Sequence, residues 1–232
     1  MEFTDWEPAY EAILADLGYD RAADERARDV LAAHAEPFDL GRLDVRGRTV
    51  AVAGAGASLE DDLPVAADAD AVFAASAAAE RLRRAGVDVT CMVTDLDGAP
   101  ATARALTREG TPVAVHAHGD NVPALREHVP ALERSAMLAT TQAEPVDAVV
   151  NTGGFTDGDR AAFLADHCGA AALCFPGWDL DDPDVGGEKA RKLRWAARLL
   201  RWLERRRGEA FALLDGRRDH LDLEWQPPRP RE

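Results

Sequence analysis

Residues 48–58 read Arg48-Thr-Val-Ala-Val-Ala-Gly54-Ala-Gly56-Ala-Ser58. Five uncharged residues run straight into two glycines. The run is too short and too uniformly apolar for an amphipathic helix, and the glycines stop it, so it reads as a buried strand entering a tight turn. The same grammar recurs downstream. Apolar runs at Ala71–Ala75, Val87–Val93, Pro112–His118, Ala136–Thr140 and Ala170–Phe175 predict strands, with a short extra one at Val146–Val150. Helical patterns fall between and after them, at Ala77–Ala85, Pro100–Glu109, Val122–Val129, Asp157–Asp166 and Glu188–Arg207. Strands without an exposed polar face, alternating with helices, predict a three-layer, Rossmann-like α/β fold: a mainly parallel sheet flanked by helices.

Working outward, residues 4–34 predict two helices broken at Gly18, the second from Arg21 to Ala33. The expected division is an N-terminal helical segment over 1–44 and an α/β domain over 45–214. Residues 215–232, which end in Gln226-Pro-Pro-Arg-Pro-Arg, are expected to be an extended or disordered tail.

Composition removes several classes of function. The 232 residues carry 27 basic and 42 acidic side chains, a net charge of −15, which argues against a nucleic-acid binder. The acids include 26 Asp, whereas Lys189 and Lys192 are the only lysines among 25 Arg. Asp hydrates strongly and high salt screens self-repulsion, the Debye length falling to about 3 Å at 1 M. The expected setting is therefore the salty cytoplasm of a salt-loving archaeon. Three cysteines form no Cys-x-x-Cys pair, which suits a reduced, cytoplasmic chain. No apolar run approaches the roughly 18 residues of a membrane span, so no membrane partner is expected.

In open α/β sheets ligands gather beyond the carboxyl ends of the strands. The strands here run into Gly54-x-Gly56-x-Ser58, Thr94-Asp95-Leu-Asp97-Gly98, His116-x-His118-Gly-Asp120-Asn121 and Thr140-Thr-Gln142. Later come Asn151-Thr-Gly-Gly-Phe155-Thr156-Asp157-Gly-Asp-Arg160 and Gly177-Trp178-Asp179. The glycine turn allows close backbone approach and offers N–H groups to phosphate. Asp95 and Asp97, if the strand continues, point to one side with Leu96 turned inward. Two such carboxylates call for a cation, and hard oxygen ligands suit Mg²⁺, with Asp120 expected to complete the shell. A zinc reading of His116, His118 and Asp120 lacks a further soft ligand. Lys189 and Lys192, at i and i+3, share a helix face and suit a polyphosphate.

Taken in order, these blocks resemble the archaeal 6-hydroxymethyl-7,8-dihydropterin pyrophosphokinases, whose catalytic domain is similar to that of thiamine pyrophosphokinase. The resemblance covers about residues 45–205 and rests most on Asp-x-Asp and on Gly-Phe-Thr-Asp-Gly-Asp-Arg. It implies transfer of diphosphate from ATP to the hydroxymethyl oxygen of a reduced pterin, with Mg²⁺ and release of AMP, in folate or methanopterin synthesis. By this resemblance Asp95, Asp97 and Asp120 are the Mg²⁺ carboxylates; a general base is chemically optional in such a transfer, and Asp120 or His118 is the candidate for it. Gly54, Gly56 and Ser58 line the nucleotide site, and Lys189 and Lys192 reach its phosphates. Thr140, Gln142, Asn151, Thr156 and Asp157 are implied pterin or nucleotide contacts. A carboxylate such as Asp157 or Asp179 would pair with the guanidine-like pterin edge, and Trp178 or Phe155 would stack on its face. Thiamine pyrophosphokinases add a C-terminal β-sandwich, whereas about 25 residues follow the last helix here, so thiamine is not the expected substrate. The partners expected are ATP and the pterin, and a homo-oligomer is compatible with them. Two other functions fit Asp-x-Asp on this scaffold: a metal-dependent glycosyltransferase-like enzyme and a non-catalytic nucleotide sensor.

Overall fold

The structure, a computed structural model, describes residues 1–225. Six strands form one sheet: β1 (Thr49–Ala53), β2 (Ala71–Ala75), β3 (Cys91–Thr94), β4 (Val113–Ala117), β5 (Met137–Thr141) and β6 (Ala172–Cys174). Their order is β5-β4-β3-β2-β1-β6, and every neighbouring pair is parallel. The chain steps outward from β1 to β5, then crosses back to place β6 on the other side of β1. That reversal makes a topological switch point beside β1.

Eight helices complete the described fold: α1 (Phe3–Leu17), α2 (Arg21–Ala32), α3 (Leu63–Asp68), α4 (Ser76–Arg84), α5 (Pro100–Arg108), α6 (Val122–His128), α7 (Asp157–His167) and α8 (Gly187–Arg207). Strand alternation splits the core into two layers. Val50, Val52, Phe73 and Val93 face one side, against α1, α7 and α8. Ala51, Ala53, Val72 and Met92 face the other, against α2 to α6. Alanine on that second face lets the helices approach closely. The three-layer α/β expectation holds.

Local differences have local causes. Helix α3 falls in a stretch assigned no element; its six residues are too few to show a period. Strand β3 begins at Cys91 rather than Val87, because Thr90 turns its hydroxyl back to accept the Val72 N–H at 3.0 Å. The strand expected at 146–150 reduces to bridges, with Val150 paired to Thr140 at the edge of β5.

The N-terminal segment is no appendage. Helix α1 buries Trp6, Tyr10 and Ile13 in one core layer, while α2 buries Ala27 and Leu31 in the other. Over 215–225 the chain packs back onto α8. Glu204 accepts from Phe211 N at 2.8 Å and Arg218 Nε at 2.9 Å, folding the chain back. Trp225 then closes over Arg198, whose guanidinium lies 4.1 Å from the Trp195 ring centroid and 4.9 Å from that of Trp225. The Trp195 and Trp225 rings also meet each other at 5.4 Å, and this three-way aromatic and cation–π contact holds this end of the chain against α8. The Gln226-Pro-Pro-Arg-Pro-Arg part of the expected tail lies outside the described residues.

Candidate active site

A cavity of about 790 Å³ opens over the carboxyl ends of the strands. Its walls come from the end of every strand from β1 to β5, from the α1–α2 turn, and from the starts of α7 and α8. The middle of its floor is the end of β3. Here the chain does not continue as a strand. Thr94 Oγ1 accepts the Leu96 N–H at 2.9 Å, and an Asp95 carboxylate oxygen accepts the Asp97 N–H at 3.2 Å. These two side chains bend the backbone until Leu96 takes φ +70° while its side chain stays buried. Left-handed backbone at a bulky residue costs on the order of 1–3 kcal/mol and persists only where its surroundings enforce it. The turn, rather than strand alternation, brings Asp97 beside Asp95.

Asp157, the first residue of α7, joins them. Oxygens of Asp95, Asp97 and Asp157 lie within 4.8 Å of one another. Asp120 does not enter this group; it is exposed on the cavity wall. The expected third carboxylate is thus replaced by one supplied from across the sheet. Burial would raise the Asp95 carboxyl, but hydrogen bonds from His118 and Asp97 and the charge of Arg160 outweigh it and hold it below the usual range. The bond shared with Asp95, then burial, pushes Asp97 up to about 6. Burial, then the charge of Asp95, pushes Asp157 upward against the pull of Arg160. Three crowded carboxyl groups, of which Asp97 and Asp157 hold their protons above the usual range while Asp95 is ionised, are a donor set of hard oxygens suited to a divalent cation such as Mg²⁺.

The neighbours fix these groups. His118 Nε2 lies 3.2 Å from Asp95 Oδ2. Asn121 bridges two strand ends, donating to the carbonyls of Asp95 at 2.9 Å and His116 at 2.7 Å. Arg160, buried, donates to Asp157 at 3.0 Å. Lys189 and Lys192 line the cavity from α8, Lys192 pairing with Glu188 at 3.3 Å.

The glycine turn packs against the segment that follows β6. Gly54 N–H donates to the Pro176 carbonyl at 2.9 Å, Gly56 N–H to the Gly177 carbonyl at 2.8 Å, and Ser58 N–H to Asp179 at 2.9 Å. All three donors are spent on the segment after β6. A Cβ on Gly54 would stand 2.5 Å from the Gly177 carbonyl oxygen, and one on Gly56 2.4 Å from Asp179. The glycines let two loops touch at the switch point; Gly54 and Gly56 still line the cavity, and Ser58 does not.

Other expected contacts divide likewise. Gln142, Thr156, Asp157, Trp178 and Asp179 line the cavity. Thr140 is buried below it, bonding the Val115 carbonyl at 3.1 Å and His116 Nδ1 at 3.0 Å. Burial, then the charge of Arg160, lowers the His116 pKa, and His116 is not among the residues of the carboxylate group. Asn151 is committed to the Gln142 and Ala143 carbonyls at 3.0 and 2.8 Å. Trp178 Nε1 donates to the Val52 carbonyl at 2.9 Å, which pins the indole plane at the cavity wall.

Among the lining residues outside the strand-end reading are Tyr19, Asp24 and Ser76. Ser76 directly follows β2, so the same rule applied to that strand would have found it. Nothing in the sequence marks Tyr19 or Asp24, which arrive with the N-terminal helices.

Comparison with known proteins places this architecture. Residues 31–185 match the family model described as 6-hydroxymethylpterin diphosphokinase MptE-like. A protein of Methanothermobacter thermautotrophicus named 6-hydroxymethyl-7,8-dihydropterin pyrophosphokinase is 38% identical, covering 88% of this chain and 96% of its own. Proteins of the same name from Pyrococcus furiosus and Methanocaldococcus jannaschii are 37% and 29% identical over 88% of this chain, covering 95% and 96% of their own. Among the described residues no helix is long and apolar enough to cross a membrane. The chain belongs to the MptE-like 6-hydroxymethylpterin diphosphokinase family.

Proposed function

We propose that this chain is a 6-hydroxymethyl-7,8-dihydropterin pyrophosphokinase, moving the terminal diphosphate of ATP to the pterin hydroxymethyl oxygen and releasing AMP. The observation that carries this reading is the Asp95–Asp97–Asp157 group facing two cavity lysines in a chain of this family. Asp95, Asp97 and Asp157 would hold Mg²⁺, which supplies charge neutralisation on the phosphate oxygens when bound. Lys189 and Lys192 neutralise the remaining phosphate charge, and the cavity holds the alcohol in line with the β-phosphorus. The aromatic side chains that line the cavity suit flat rings. Trp178, with Asp179, is tied to Val52 of β1, and Phe155 and Tyr19, their ring centroids 6.4 Å apart, lie on the same cavity. Family membership favours this reading over a glycosyltransferase-like enzyme or a sensor.

The test is the nucleotide product. In molar KCl with Mg²⁺-ATP, AMP forms only when hydroxymethyl-dihydropterin is present. ADP as product, or turnover without pterin, overturns the reading.

A pH dependence accompanies it. Cation uptake displaces the proton that Asp97, at about 6, carries in acid. Affinity for Mg²⁺ therefore rises with pH through 6, and is about tenfold weaker at pH 5 than at pH 7. Calorimetric titration of the nucleotide-free protein at both values checks it.

A further inference from the structure

Tyr10 and Asp24 lie before residue 31, where the family match begins, yet they connect to the carboxylate group. Asp24 sits on α2 and is only 3% exposed. Its carboxylate accepts three hydrogen bonds: Tyr10 Oη at 2.7 Å, Gln142 Nε2 at 2.8 Å and Gly119 N at 2.7 Å. A carboxylate has no proton to give, so it dictates the amide orientation of Gln142. The NH₂ side must face Asp24, which leaves Oε1 to accept Arg160 Nη2 at 3.3 Å. Arg160 then gives Nη1 to Asp157 at 3.0 Å. Each link has one permitted polarity, running from the N-terminal helices to the third carboxylate of the cluster.

We propose that Asp24 is a positioning residue: through Gln142 and Arg160 it sets the orientation in which Asp157 meets a divalent cation. This rests on the cation reading of the Asp95–Asp97–Asp157 group. The polarity explains why an acid is placed at a site that already crowds three others. A neutral amide in its place could turn either end toward Gln142, and the wrong choice would point an NH₂ at the Arg160 guanidinium. Outer partners that orient metal ligands typically change metal affinity by about 10- to 100-fold when removed. Gly119 is held by the same carboxylate, so the β4 loop that carries His118 and Asp120 shares the anchor.

The test reads cation binding without turnover. Mn²⁺ uptake by the nucleotide-free protein is followed by electron paramagnetic resonance in 2 M KCl, which screens through-space charge effects. Asp24→Asn weakens Mn²⁺ binding by about tenfold. Asp20→Asn removes a carboxylate from the same cavity wall while keeping a good helix cap, and changes it by less than about twofold. Asp24→Asn combined with Gln142→Glu reverses both groups. The amide introduced on α2 then donates to the carboxylate introduced after β5, which still accepts from Arg160, and binding returns to within about threefold of the parent. An Asp24→Asn effect no larger than that of Asp20→Asn overturns the proposal, as does a double variant that binds no better than Asp24→Asn. Should Asp24→Asn fail to fold, the double variant decides: parent-like binding supports the relay, and misfolding or weak binding overturns it. A parent protein that takes up no Mn²⁺ overturns the cation reading itself, and the relay with it.

Discussion

Asp95→Asn abolishes AMP formation, with kcat falling at least about 10³-fold while the melting temperature drops by only a few degrees. Asp95 is the centre of the carboxylate group. One oxygen anchors the Asp97 N–H and the other meets His118 Nε2. Asparagine keeps an oxygen for the Asp97 N–H, so the turn at Leu96 survives. It loses the charge that the cation and His118 both face. Because favourable partners hold the Asp95 carboxyl below its usual range, its charge also stabilises the cation-free fold, so the variant loses some stability along with its activity. Chromatography of the nucleotides and a thermal melt measure both. Retention of a tenth of the parent kcat, or collapse of the fold, would remove Asp95 from its assigned place.

Trp6→Ala is the largest expected loss of stability, about 4 kcal/mol. Trp6 is 1% exposed and stacks against Trp202 at 6.3 Å and Tyr10 at 6.5 Å, with Phe163 edge-on at 6.4 Å. Its indole N–H also donates to the Gln142 carbonyl at 2.9 Å. Alanine leaves a cavity bounded by α1, α7 and α8 and an acceptor without its donor. For a chain of this size the melting temperature should drop by roughly 8–16 °C. Urea denaturation gives the free energy directly. A cost under about 1 kcal/mol would mean that α1 is an ornament on the α/β core rather than part of it.

The sheet was readable because its signals are local. An apolar run such as Thr49–Ala53 can satisfy its backbone and bury both faces only between neighbouring strands. The polar cluster after each run is then carried to one edge by parallel topology. Residues at those strand ends, Asp95, Asp97, His118 and Gln142, accordingly line one cavity. What misled was the attempt to say what each group does there. Gly54-x-Gly56 is as consistent with loop packing as with phosphate, because both need a backbone without a Cβ. Thr140 alternates toward the strand end, yet its hydroxyl is taken by the Val115 carbonyl beneath the floor. Trp225 lies near a proline-rich end, and no local pattern announces that an arginine on α8 will hold it.

By itself the sequence determined the parallel α/β architecture, the edge at which polar residues collect, the pair of lysines and the family resemblance. Each depends on spacing along the chain. Only the tertiary structure decided that Asp157, and not Asp120, completes the carboxylate group. The crossover through α7 brings Asp157 back over β3, and that return depends on Phe163 and its neighbours packing against the sheet. Among 26 aspartates composition could not single out one. The same holds for Asp24, whose helix reaches the site only because α1 and α2 divide between the two core layers. Convergence of distant side chains is a property of packing, and spacing along one strand or helix does not encode it.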